Sequence, residues 1–139
     1  MNPQTKEWLG QSDYDLKTAQ AMFRTGRYIY TVYMCHLALE KALKAVVAET
    51  TGSPPPKTHN LISLVKAGAP AITKEQVEFL AELNTANIAA RYPDELKSAL
   101  KKYTRKVASE YLKKTKDVVK CLKKGLRKSR KSSAASKKP

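Results

Sequence analysis

Residues 28–49 read YIYTVYMCHLALEKALKAVVAE, with Ile29, Val32, Tyr33, His36, Leu39, Leu43, Val46 and Val47 returning at three- and four-residue steps. That period is the period of one helix face, and here the apolar face is wide. A helix so apolar belongs near the centre of a bundle, with other helices around it. The residues before it, from about Gln4 to Thr25, carry a second stripe through Trp8, Ser12, Asp15, Ala19 and Phe23, widened by Leu9, Leu16 and Met22, and Gly26 stops it.

Downstream, Gly52 and three consecutive prolines at 54–56 remove backbone donors and fix φ, so Thr50–Lys57 must be an exposed loop. Asn60–Lys66 has the pattern of a short helix with Leu61, Leu64 and Val65 inward, preceded by Thr58 as a possible cap. Thr73 and Gln76 have capping-box spacing, which predicts the start of a fourth helix with Val77, Leu80, Leu83 and Ile88 on its buried side. After Pro93, Asp94 can cap a last long helix over about residues 95–124, with Leu96, Leu100, Tyr103, Val107, Tyr111, Val118 and Leu122 on one face. The segment after Gly125 has too little apolar content to fold by itself. The expected class is all-α: an up-and-down bundle of four to five helices over residues 1–125, with a long C-terminal helix and a basic disordered tail over 126–139.

The net charge of +15 is unevenly placed. Residues 1–96 hold ten Lys and Arg against ten Asp and Glu, whereas residues 97–139 hold seventeen against two. A field this one-sided attracts polyanions through counterion release and reads little sequence. Arg127, Lys128, Arg130 and Lys131 are thus candidates for nonspecific nucleic-acid contact. Two cysteines, Cys35 and Cys121, cannot form a disulfide framework. With no apolar leader and no run long enough to span a membrane, the expectation is a cytoplasmic protein with reduced thiols and no membrane partner.

Neither a C-x-x-C pair nor an H-E-x-x-H helix occurs, so no metal site is expected. No Gly-rich phosphate cradle, G-x-S-x-G elbow or carboxylate pair stands out, and no cofactor is implied. Glu40 and Lys44 have the favourable order for an i,i+4 ion pair. They read either as a surface pair or as the lining of a cleft. His36, alone on an apolar face, reads as a hydrogen-bonded core group. His59 reads as an anchor for the proline loop, or as a general acid or base near a phosphodiester. Arg91, beside the start of the last helix, could meet a phosphate together with free backbone donors, or form a staple with Asp94.

Three short signatures in order, HLALEKALKA at His36–Ala45, THNL at Thr58–Leu61 and ARYPD at Ala90–Asp94, resemble the HEPN domain, the "higher eukaryotes and prokaryotes nucleotide-binding" module, in its small microbial type. The resemblance covers roughly residues 5–122. It implies a homodimer with a cleft along the interface, where Arg91, Tyr92 and Asp94, with Glu40 and Lys44, would bind a nucleotide or RNA. It also offers a minimal nucleotidyltransferase as partner, in a toxin–antitoxin-like pair. Ribonuclease members carry an Arg followed four to six residues later by His. Arg91 and Arg105 have no such His after them, so that catalytic pair is absent and no RNA cleavage is expected of it. Two alternatives remain: a metal-independent RNase using Arg91 with His59, and a pure protein-interaction module.

Overall fold

The computed structural model describes the backbone of residues 1–91 and 96–136, and the side chains of residues 1–88 and 96–128. Every regular element among them is helical: α1 Pro3–Arg24, α2 Tyr28–Thr51, α3 Leu61–Gly68, α4 Lys74–Arg91, α5 Leu96–Lys102 and α6 Arg105–Ser136.

Helix α1 starts on Asn2, whose side chain accepts the Thr5 N–H at 2.7 Å, with Pro3 in the first turn where a missing donor does no harm. The same cap ties α1 to the far end of α2, because Asn2 Nδ2 donates to the Ala48 carbonyl and Thr5 Oγ1 donates to Glu49 Oε1. At the other end, Gly26 takes φ +76°, and the chain turns back into α2. An antiparallel pair pinned at both ends results.

Helix α2 touches each of the other five helices, and its wide apolar face explains why. Val32, Cys35, Leu39, Ala42, Leu43 and Ala45 are fully buried, as the 28–49 periodicity predicts. Helix α3 closes on it through Gly68, where a Cβ would lie only 3.1 Å from Val46 Cγ1. Helix α4 begins at the predicted capping box: Gln76 N–H donates to Thr73 Oγ1 at 3.1 Å, and Thr73 N–H donates to Gln76 Oε1 at 2.9 Å. Phe79, Leu80 and Leu83 enter the core. Phe79 meets Tyr111 edge-on at 5.6 Å, and Tyr111 donates to Glu82 at 2.6 Å. Burial first, then this bonded carboxylate, pushes the Tyr111 hydroxyl pKa up.

The structure corrects the expected last helix in three ways. It is two helices, not one, because Tyr103 turns inward to stack on Tyr111 and Thr104 restarts the helix, its Oγ1 accepting the Val107 N–H. It also runs past Lys124. Gly125 costs a helix interior about 1 kcal/mol, but Leu126 continues the buried row after Leu122, and α6 proceeds to Ser136. Finally, Leu96 and Leu100, expected inside, are exposed, as is Ile88 of α4.

Helix α6 lies antiparallel to α1, since Arg105 sits over the Phe23 ring at 5.5 Å while Lys123 pairs with Asp13. Among the described residues, no helix is long and apolar enough to cross a membrane.

Candidate functional site

On α2, His36, Glu40 and Lys44 stand four residues apart and share one face, at about 100° per residue. The packing of α1, α3 and α4 around that face buries all three, to 1%, 4% and 8% exposure. Charged groups are rarely buried unless paired. The pairing is present: Lys44 Nζ lies 3.1 Å from Glu40 Oε2. The ion pair expected from the spacing therefore forms, but inside the bundle rather than on its surface. Lys44 also sits over the Trp8 ring, 5.3 Å from its centroid, so α1 closes the ammonium off with an aromatic face.

Glu40 has a second partner from outside its helix. His59, at the end of the proline loop, places Nδ1 3.0 Å from Glu40 Oε1. An imidazole donating Nδ1–H to a carboxylate is held in one tautomer and one orientation, with Nε2 left to act elsewhere. The His59 side chain is 61% exposed while that of Glu40 is 5% exposed. The arrangement is a buried carboxylate aiming a surface imidazole outward. The loop-anchoring reading of His59 matches this contact: the ring ties the proline loop to α2 through Glu40.

Two asparagines hold this loop in place, Asn60 at the expected start of the short helix and Asn84, which the sequence reading does not single out. Asn60 caps α3, its Oδ1 accepting from the Ile62 and Ser63 N–H groups. Thr58, the expected cap, instead accepts the Asn60 N–H. Asn84 of α4 donates to Asn60 Oδ1 at 3.0 Å, and its own Oδ1 accepts both the Leu61 N–H at 3.0 Å and His36 Nε2 at 3.3 Å. His36 is therefore the hydrogen-bonded core group its position predicts, and its Nδ1 faces Glu40 Oε1 at 3.9 Å. The one sequence sign of Asn84 is a polar residue next to Leu83 on an otherwise apolar row.

The site thus joins Glu40, Lys44, His36, His59, Asn60 and Asn84 in one network. The side chains of Arg91, Tyr92 and Asp94 lie outside the described residues, as do those of Arg130 and Lys131; Arg127 and Lys128 are exposed on α6. Asp15, on the inner stripe of α1, is held by Lys41 Nζ at 2.8 Å. Burial pushes the Cys35 thiol up to about 12, with Thr115 and the Lys116 charge acting in the opposite direction.

The family model for the HEPN domain matches residues 5–126. Among solved structures, the chain is similar to the crystal structure of TT1696 from Thermus thermophilus, with 25% identity and a TM-score of 0.77 over 90% of this chain and 99% of that one. Among curated proteins, none matched.

Proposed function

The chain belongs to the HEPN domain family, and from that premise we propose that it binds a nucleotide or RNA at the surface that His59 presents over Glu40 and Lys44. One observation carries the reading: the buried Glu40 carboxylate holds the exposed His59 ring by Nδ1, 3.0 Å away, leaving Nε2 free to meet a phosphate or a base edge. An imidazole held this way loses little freedom on binding, which favours affinity. The family resemblance adds Arg91, Tyr92 and Asp94 as candidates for binding the same ligand. The exposed apolar side chains of Ile88, Leu96 and Leu100 support a homodimer, to be read by light scattering at micromolar concentration. A minimal nucleotidyltransferase partner follows from family resemblance alone.

Titration calorimetry with a panel of nucleoside mono- and triphosphates and a short single-stranded RNA tests the proposal. His59→Ala is the variant to use, because the ring is exposed and its removal leaves the core intact. The expected result is saturable binding that weakens at least tenfold in His59→Ala with an unchanged circular-dichroism melt. Equal affinity in the two proteins, or no binding of any probe, refutes the site.

The same His–Glu geometry favours a second reading, metal-independent RNA cleavage with His59 moving the proton and Arg91 stabilising phosphorane charge. The missing Arg-to-His spacing weighs against it, and the expected outcome in chelator is no robust cleavage. Robust cleavage lost equally in Arg91→Ala and His59→Ala would promote the enzyme over the binder.

A further inference from the structure

We propose that the outer face of α6, with the neighbouring end of α1, is a phosphate-backbone track for a nucleic-acid duplex, separate from the His59 surface. The two surfaces lie on different sides of the bundle. Helix α6 packs on α2, with Thr115 and Lys116 near enough to Cys35 to act on its thiol, and Glu40, five residues further along α2, points about 140° away from Cys35.

The track is written in the spacing of α6. Lys106, Lys113, Lys120 and Arg127 recur every seven residues, with Lys116 beside them, and all are exposed. Seven residues advance a helix by about 10.5 Å and almost restore its facing, so the row stays on one side for about 32 Å, close to the rise of one duplex turn. Beside its first half, α1 and α6 enclose an open cleft of about 430 Å³, with Gln20, Arg24, Ser109, Lys113 and Lys116 as its polar lining. Among the described residues, none of Arg24, Lys106, Lys113, Lys116 or Lys120 is paired with a carboxylate. Cations left unneutralised in a row are available to phosphates.

The chemistry selects nucleic acid over a lipid surface. A membrane-lying helix needs an apolar face to insert, and the apolar face of α6, through Tyr111, Leu112, Val118, Val119, Leu122 and Leu126, is already spent on the core. It also selects backbone contact over base reading. The aromatic on the cleft floor, Phe23, is covered by Arg105, so no open ring is offered for stacking. Contacts of this kind position a chain on a duplex without reading its sequence.

The test uses the full chain and fluorescein-labelled RNA and DNA duplexes of arbitrary sequence, with affinity measured by anisotropy across a salt series. Lys113→Gln/Lys116→Gln/Lys120→Gln removes three track cations. Lys6→Gln/Lys66→Gln/Lys74→Gln removes the same net charge from exposed positions elsewhere. The expected result is that the track variant loses about 2.7 from the magnitude of the slope of log affinity against log salt, at ~0.9 per phosphate contact, and at least about tenfold in affinity near 0.1 M salt. The off-track variant keeps both within about one contact's worth, and His59→Ala leaves duplex affinity unchanged, which separates this site from the His59 surface. Equal losses in the two triple variants would reduce the effect to net charge and overturn the track. So would loss confined to neutralisation of Lys128, Arg130 and Lys131, or binding to phosphatidylserine vesicles with none to either duplex.

Discussion

Helices α2 and α6 both carry charged residues at regular spacing, and the fold treats them oppositely. On α2, His36, Glu40 and Lys44 face inward, and each is matched by a partner: Asn84, His59, Trp8 or one another. On α6, Lys106, Lys113, Lys116 and Lys120 face outward, with the carboxylates Glu110 and Asp117 the only acidic residues of that helix. The difference teaches where each region's charge acts. Inside, a charge is tolerated only in a complete set, so its removal is felt as lost stability. Outside, charges repel one another weakly through water, and their removal is felt by a partner instead.

The largest effect should follow from breaking the inner set. Glu40→Ala strands the Lys44 ammonium at 8% exposure and frees the His59 ring. Breaking a buried pair on one side costs about 3 kcal/mol or more, roughly a 10 °C fall in melting temperature for a domain of this size. Replacing both partners, Glu40→Leu with Lys44→Met, should recover most of that loss, because no charge is left without its counterpart. Thermal melts of the two variants check this. A single variant that melts within about 2 °C of the parent would show that water reaches Lys44 and that the set is not interior.

A smaller effect tests where the outer helix stops being core. Leu126 lies beyond Gly125, in the region that composition assigns to the tail, yet it is 5% exposed. Leu126→Ala should cost about 2 kcal/mol, the low end for a buried leucine because it is the last residue of the buried row named on α6 and its surroundings can relax. Urea unfolding measures it. No change in the midpoint would place the end of the folded unit before this residue.

What the sequence shows of this molecule divides along the range of the interactions. The α1 and α2 stripes, the Thr73–Gln76 box and the Glu40–Lys44 pair are set within a few residues, so periodicity and spacing find them. The burial of that pair depends on α1 and α4 arriving over it, which spacing on α2 cannot report. The His59–Glu40 contact joins residues 19 apart across a proline loop, and Asn84 meets Asn60 24 residues away. No local pattern encodes either. The break at Tyr103–Thr104 had a local sign, a threonine able to cap, but the apolar row through Tyr103 and Val107 masks it. Ile88, Leu96 and Leu100 fit a helix period and still lie outside, because period shows which residues share a face and not whether another element covers it.

The smallest effect belongs to the outer stripe, and its sign is informative. Lys113, Lys116 and Lys120 are exposed, and their replacement by Gln keeps the aliphatic stems and costs almost nothing in helix propensity. The remaining term is mutual repulsion. Two cations about 10 Å apart repel by about 0.4 kcal/mol in water without salt, and the Debye length of about 10 Å at 0.1 M already screens much of that. Folding onto one helix face holds these charges at that spacing, whereas the unfolded chain lets them separate. The triple variant should therefore be as stable as the parent or slightly more so, by up to about 0.5 kcal/mol at low salt, with the difference vanishing as salt rises. Melts of both proteins over a salt series decide it. If the triple variant is less stable at every salt concentration, these lysines make contacts within the fold, and the contrast between a charge-matched interior and a free outer row fails.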